Sequence, residues 1–363
     1  MKFIEKNTNI QLDSSVYLKT DLSESLFFDI ETTGFSSKHT YLYLIGCIAY
    51  NNKTSSFISY QWLIEDKSEE SIIINEFFQF AKQYTTIVHF NGEGFDIPYI
   101  ESKCAKYSLD YSFSTFKSID LYKEIAPIKN IFKLENIKQK SLQSFLDIDR
   151  DDKYNGGELI SVFMEYAKNK DHKLEDLLLL HNYEDICGLI QILPLLNYKS
   201  VFDGHFKMSN IVINKMDVGS EVFIECICDY TMPKRISYGN STFYFTAFNN
   251  KLKFKVSMYA GGLKYFYPNY KDYYYLPKED CSIHKSVAFY VDKDFRTKAK
   301  AQNCYSKKTG RFLPQHSKII SPYFKLDYND DITYFELTED ILENCQVLKP
   351  YCIDILEVLK KFK

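Results

Sequence analysis

The 363-residue chain carries 45 Lys and Arg against 48 Asp and Glu, with 45% hydrophobic and 26% charged residues, a balance that suits a globular protein long enough for two domains. It has no run of 18 apolar residues, which argues against a membrane-spanning helix; its first 15 residues lack an apolar signal core, and its nine cysteines form no CxxC pair, which points to reduced thiols in the cytoplasm. Charge is divided unevenly: residues 231–320 hold 17 basic and 5 acidic side chains, so an acidic first half precedes a basic, tyrosine-rich second half.

Residues 1–24 read as a lead-in. Strand-like segments follow at 26–32 (LFFDIET), 41–50 (YLYLIGCIAY) and 55–64 (SSFISYQWLI), with links short enough for an antiparallel meander. An amphipathic helix is expected over roughly 69–84, then the apolar strand TIVHFN at 86–91. A helix opens at Asp96, with Pro98 in its first turn, where proline is tolerated. A strand near 115–122 precedes three helical stretches, 133–146, 157–169 and 173–196. A meander followed by alternating helices and parallel strands predicts an α/β domain over 25–198: a mixed five-stranded sheet covered by helices. Beyond 198 the texture changes to β-like runs such as SEVFIECICDY, STFYFTAF and LKFKVSMYA, closed by a helix over 338–361. This predicts a β-rich (α+β) second domain over 199–363.

Two carboxylates interrupt the first strand. Side chains alternate along a strand, so Asp29 and Glu31 share a face, where they repel and are costly to desolvate unless a cation compensates. Two further places supply acids. Asp96 follows the glycine-containing loop HFNGEGFD. On the helix 173–196 an apolar stripe through Leu174, Leu178, Leu189 and Ile192 also contains His181 and Asp185, four residues apart on one face. Each residue alone has an ordinary structural reading. Asp96 fits a helix N-cap, His181 a half-buried histidine, Asp185 a partner for a lysine, and Asp29 a strand-end hydrogen bond. Together they describe a convergent acidic pocket. Asp120, in SIDLY, fits either a support for that pocket or a sheet-end device.

The stretches FFDIETTG, HFNGEGFD and HNYEDICGL resemble motifs I, II and III of the DEDD superfamily of 3′–5′ exonucleases, which has a ribonuclease H-like fold. The run from KLENIKQKSLQSFLDIDRDD to LLLLHNYEDICGLIQIL is most similar to the bacterial YprB-like branch. The resemblance covers roughly residues 24–197. It implies a hydrolase that cuts phosphodiester bonds of single-stranded DNA or RNA from a free 3′ end, with Asp29, Glu31, Asp96 and Asp185 binding two divalent cations, Mg²⁺ or Mn²⁺. Members of the superfamily place a general-base His five residues, or a Tyr four residues, before the last Asp. Here His181 stands at the tyrosine spacing, so the resemblance implies His181 as proton acceptor while leaving open a nucleic-acid-binding protein without activity. A structure-specific endonuclease on the same scaffold is the other alternative.

In the second half, YAGGLKYFYPNYKDYYYLPKED and the basic stretch after it interleave aromatic rings with lysines. Basic residues attract phosphates and aromatic faces stack unpaired bases. Lys264, Tyr267, Lys285, Lys298 and Lys300, with Asn91 in the first domain, are therefore candidate nucleic-acid contacts. A plain structural reading stands beside this one: tyrosine favours strands, and lysines protect sheet edges.

Overall fold

The chain is described by a computed structural model over residues 1–12, 15–154, 156–215 and 220–362. Met1–Ser200 with Met232–Lys234 form one unit, and Val201–Thr231 with Arg235–Lys363 form the other.

The sheet of the first unit has six strands. They are β1 (Lys2–Asn7), β2 (Ser25–Thr32), β3 (Leu42–Asn51), β4 (Ser56–Leu63), β5 (Thr86–His89) and β6 (Lys117–Asp120), in the order β1-β4-β3-β2-β5-β6. Strands β1 to β4 pair antiparallel, and β5 and β6 continue the sheet parallel to β2. The predicted five strands are all present. The sixth, β1, lies in the expected lead-in: KFIEKN is too charged to show strand alternation, and as an edge strand it is buried on little of its surface.

Helices α1 (Glu70–Ala81), α2 (Asp96–Tyr107), α3 (Leu121–Ile125), α4 (Gln139–Phe145), α5 (Gly156–Asn169) and α6 (His172–Gln191) complete this unit. Leu26, Phe28 and Ile30 of β2 enter a core shared with Ile73, Phe77 and Ile100, where each fully buried large apolar side chain contributes about 1.5–3 kcal/mol. The alternate residues Asp29 and Glu31 turn the opposite way, toward α6. Two of the expected helices are shorter than their periodicity suggested. The helical turn Ala126–Phe132 ends where Lys133 takes a left-handed conformation (φ 53°), and α4 begins only at Gln139. Helix α6 stops at Gln191, ahead of Pro194, whose ring and missing N–H end a helical hydrogen-bond ladder.

A buried ion pair ties α1 to α2. Glu70 accepts from the Lys103 ammonium (2.7 Å) and from the Leu42 N–H (2.6 Å), and both charged side chains are wholly buried. Burial pulls the Lys103 pKa down, against the opposing pull of Glu70.

The second unit is built on a six-stranded antiparallel sheet. Its strands are β7 (Phe206–Lys215), β8 (Ser220–Gly239), β9 (Phe243–Phe266), β13 (Tyr305–Gln315), β14 (Tyr323–Phe324) and β15 (Thr333–Glu336), in the order β14-β15-β13-β9-β8-β7. A small sheet of β10 (Tyr273–Leu276), β11 (Cys281–His284) and β12 (Thr297–Lys298) is inserted between β9 and β13. The expected closing helix is divided into Glu339–Glu343 and Lys349–Lys361, with Pro350 in the first turn of the second piece, where its missing N–H costs no helical bond. Among the described residues no helix is long and apolar enough to cross a membrane.

Candidate active site

The site is assembled on the helix-facing side of β2. Helix α6 lies across β2 and β3, and a close approach at Gly46 makes this possible. A Cβ on Gly46 would stand 1.9 Å from Asn182 Oδ1, so any larger residue would push the helix away. Asn182 uses that space fully: its Oδ1 accepts from Gln61 Nε2 (2.9 Å), and its Nδ2 donates to Asp29 Oδ2 (3.4 Å). This wholly buried amide locks α6 in register with the first acidic strand.

That register sets His181 and Asp185 beside Glu31. His181 Nε2 lies 3.5 Å from Glu31 Oε1 and 3.2 Å from Asp185 Oδ2. One ligand atom from each of Glu31, His181 and Asp185 falls within 4.8 Å of the others. The far side of the imidazole is fixed: His181 Nδ1 bonds Asp152 Oδ2 at 2.7 Å. With the Asp152 carboxylate as acceptor, Nδ1 is the donor, and the ring is held with Nε2 facing Glu31 and Asp185. Burial works against ionisation of Asp152, but bonds from Lys140 Nζ (2.9 Å), the Tyr154 N–H (3.0 Å) and His181 hold its carboxyl below the usual range.

Asp96 arrives from the β5–α2 connection. It occupies the first turn of α2, where a negative charge suits the helix dipole, and the capping position before the helix is Phe95. The loop is shaped by Asp120, whose Oδ1 accepts from the Asn91 N–H (2.8 Å) and, as cap of α3, from the Tyr122 N–H (3.0 Å). Asn91 takes a left-handed turn conformation (φ 62°). Gly92 is confined between the His89 ring, 2.7 Å from where its Cβ would be, and Asp96 Oδ2 at 3.1 Å. Asp120 Oδ2 is buried without a hydrogen bond.

Electrostatics record how crowded this pocket is. Burial first, and then Asp96, Asp185 and Glu31, push the Asp29 carboxyl well above its ordinary range. Burial, Asp185 and Asp96 do the same to Glu31. Asp96 rises to about 7, again mainly through burial. Four mutually destabilising carboxylates supply the hard, anionic oxygens that divalent cations prefer, and the residues present fit such ions. Arg150 relieves part of the repulsion, with its Nη1 2.6 Å from Asp185 Oδ1.

Sequence reasoning missed Asp152, Asn182 and Arg150. The run DRDD held two of them in plain view, but nothing in its spacing links it to α6. Asn182 was hidden by its neighbours, because amphipathic bookkeeping gives a buried amide no weight.

In the second unit the structure scatters the candidate contacts. Tyr267 stacks on Tyr273 (4.4 Å between ring centres) and, with Tyr270, Tyr323, Tyr328, Lys318 and Lys325, lines a cavity of about 660 Å³ that has no acidic lining residue. Lys264 sits 4.8 Å from the Tyr305 ring. Lys285 pairs with Asp272 (3.6 Å), while Lys298, opposite Tyr274 in β12, and Lys300 are exposed.

Residues 26–197 match a family model of the RNase_H superfamily, RNase_H_2, and this part of the chain has the ribonuclease H-like fold. Among solved structures the chain is similar to the family B DNA polymerase of the hyperthermophilic archaeon Pyrobaculum calidifontis (16% identity, TM-score 0.37, covering 47% of this chain and 24% of that one). It is also similar to E. coli ExoI in its metal-free complex with single-stranded DNA (9% identity, TM-score 0.30, 56% of this chain and 53% of that one), and in the zinc-bound form of the complex (11% identity, TM-score 0.29, 93% and 71%). The chain thus spans about a quarter of the polymerase and about half of the first ExoI chain. No curated protein matches it.

Proposed function

We propose that the first unit is a divalent-metal-dependent nuclease of the DEDD type, nearest the YprB-like branch, that hydrolyses single-stranded DNA or RNA from a free 3′ end in the reducing cytoplasm. The observation that carries this reading is the meeting of Glu31, His181 and Asp185, from a strand and a helix 150 residues apart, within 4.8 Å. Asp29 and Asp96 couple electrostatically to the same point. In this reading Asp29, Glu31, Asp96 and Asp185 hold two ions, Mg²⁺ or Mn²⁺. Such ions neutralise the phosphate, acidify the attacking water and stabilise the leaving oxygen. His181 Nε2 receives the proton of the water, and Asp152 keeps the ring in the tautomer that makes this possible. The second unit holds the strand through Lys264, Tyr267, Lys298 and Lys300, stacking bases on tyrosine and pairing phosphates with lysine. Lys285 contributes less, since Asp272 already draws on its charge. Asn91 acts through its turn, which sets Asp96.

The test is incubation of the chain with 3′-ended single-stranded DNA and RNA and Mn²⁺, beside Asp29→Asn. Loss of 5′-end-labelled substrate as a descending ladder in the wild type alone supports the reading. Internal fragments without a ladder favour an endonuclease, and binding without cleavage favours a nucleic-acid-binding protein. The short Nε2 distances also favour a second reading of one residue, in which His181 is a ligand rather than a base. The two differ in readout: a ligand's removal weakens Mn²⁺ binding, and a base's removal lowers kcat alone.

A further inference from the structure

A ring of strands in the second unit carries a cavity of the opposite character to the acidic pocket. Strand β14 pairs with β15, and Lys325, just beyond β14, exchanges both backbone hydrogen bonds with Lys264 of β9 (2.9 Å each). Since β15 pairs with β13 and β13 with β9, these four strands close on themselves, with Leu263, Phe312 and Phe324 as their core. The cavity of about 660 Å³ lies beside this ring, lined by Tyr265, Tyr323 and Lys325 from its strands and by Tyr267 and Tyr270 just after β9. Its walls are fixed before any ligand arrives. Tyr267 is stacked on Tyr273, and Tyr265 packs edge-on against both Tyr267 (5.3 Å between ring centres) and Phe324 (6.0 Å). Lys318 takes a left-handed conformation (φ 43°) that leaves its Nζ 4.9 Å from the Tyr323 ring. Lys325 Nζ donates to the Tyr328 carbonyl (2.9 Å), which uses one of the three N–H bonds of an ammonium.

The lining chemistry narrows the ligand. Two ammonium groups, with no carboxylate among the described lining residues, repel a cation and attract an anion. A purely apolar ligand would desolvate the ammoniums without pairing them, which costs free energy. A small inorganic anion would use the lysines and leave the aromatic walls uncovered. A planar aromatic group joined to an anion satisfies both, and a nucleotide is such a ligand: its base stacks on tyrosine and its phosphate pairs with lysine. The volume is that of a small-molecule site. Residues 231–320 carry 17 basic against 5 acidic side chains, far more than one phosphate engages, which favours a nucleotide that belongs to a chain of phosphates. We propose that this cavity seats one unpaired nucleotide of a single strand, its base against the tyrosine rings and its phosphate on Lys318 and Lys325. This rests on the reading that the second unit holds the strand, and it adds a means of selection. A base that is paired and stacked in a duplex cannot enter, so the cavity distinguishes single strand from duplex without reading sequence.

The experiment is fluorescence titration of the full chain, in EDTA, against a short thymidine strand with one central 2-aminopurine, whose emission is quenched by stacking. The same strand annealed to its complement and the 2-aminopurine mononucleotide are the comparison probes, and Tyr270→Leu, Tyr270→Phe and Lys318→Gln are the variants. Wild type should quench the single strand saturably and bind the duplex and the mononucleotide at least tenfold more weakly. Tyr270→Leu should weaken strand binding by about tenfold, and Tyr270→Phe, which keeps the ring, should restore it. Lys318→Gln should lower the slope of log affinity against log salt by about 0.7, the share of one phosphate on a single strand. No saturable quenching by folded wild type overturns the proposal. So does quenching that Tyr270→Leu and Lys318→Gln leave unchanged, a mononucleotide or duplex that binds as tightly as the strand, or displacement of the probe by polyglutamate as readily as by unlabelled strand. If Tyr270→Leu does not fold, Lys318→Gln still decides, because that side chain is exposed. EDTA keeps metal-dependent cleavage out of the measurement. Variant-sensitive quenching by a chain that never cuts in Mn²⁺ would therefore sink the nuclease reading alone, and cutting by a chain without such quenching would sink this proposal alone.

Discussion

Replacing Asp96 by Asn should make the metal-free protein more stable, and the gain should depend on pH in a defined way. Asp96 is 7% exposed, and burial raises its carboxyl from an ordinary 3.8 to about 7. Between those values the folded chain keeps a proton that the unfolded chain has released, so stability falls as pH rises through this window. The full cost is reached near pH 8: a shift of about three pKa units at 1.36 kcal/mol each is about 4 kcal/mol. At pH 5 the cost is about 1–2 kcal/mol, and below pH 4 it vanishes. The isosteric Asn carries no charge to desolvate and escapes the penalty. For a unit of this size the difference at pH 8 corresponds to a rise in Tm of roughly 8–16 °C. The assay is thermal melting of wild type and Asp96→Asn in EDTA at pH 4, 5, 6.5 and 8, followed by far-UV circular dichroism. The difference between the two proteins isolates this one group from everything else that titrates. Mn²⁺ at pH 8 should then stabilise wild type and leave the variant little changed. An Asp96→Asn protein that melts with or below wild type at pH 8, or a gain equal at pH 4 and pH 8, would refute the claim that this carboxylate is held at the site against its own solvation.

Further expectations follow from the same geometry. Asp152→Asn should lower kcat by about 10²–10⁴ through loss of the oriented histidine while leaving Mn²⁺ affinity within a few-fold, as kinetics and calorimetry on one preparation will show. Gly46→Ala should drive α6 off the sheet by clashing with Asn182, costing about 1–3 kcal/mol in urea unfolding and abolishing tight Mn²⁺ binding. Lys103→Met should leave the buried Glu70 with only the Lys106 ammonium, at 3.9 Å, as a charged partner and destabilise the first unit by up to about 3–5 kcal/mol. Lys298→Glu with Lys300→Glu should weaken single-strand binding and reduce the slope of log affinity against log salt by about one for each phosphate no longer neutralised, read by fluorescence anisotropy.

How much the sequence disclosed depended on whether a signal was local. Asp29 and Glu31 were legible because a strand's alternation places them together whatever else the chain does. His181 and Asp185 were legible because four residues make one helical turn. The resemblance of three short motifs then implied that these local pairs meet. What stayed hidden was the means by which they meet. Gly46 looks like any glycine in an apolar strand until α6 is laid over it, and only then does the missing Cβ become the reason that Asn182 reaches Asp29. Strand β1 is hidden for a related cause: a charged edge strand draws its stability from pairing with β4, a partner more than 50 residues away, and shows no face of its own.

Charge balance explains why Arg150 escaped attention and why it matters. Counting acids along the chain shows where negative charge accumulates, but an isolated arginine in LDIDRDD reads as solvated among carboxylates. Folding inverts that reading. Glu184 and Gln143 bring the Arg150 guanidinium inward to Asp185, the carboxylate that α6 presents to the pocket, and Asp152 holds the imidazole. A pocket that had to hold four ionised carboxylates with nothing but water would spread apart or stay protonated. Here one carboxylate is neutralised permanently, and Asp29, Glu31 and Asp96 are left with raised pKa values. An incoming ion competes with protons there, at Asp96 above all, whose carboxyl is raised to about 7. Metal binding at neutral pH should therefore release protons and tighten as pH rises, while the Asp185–Arg150 pair holds the geometry unchanged through the exchange.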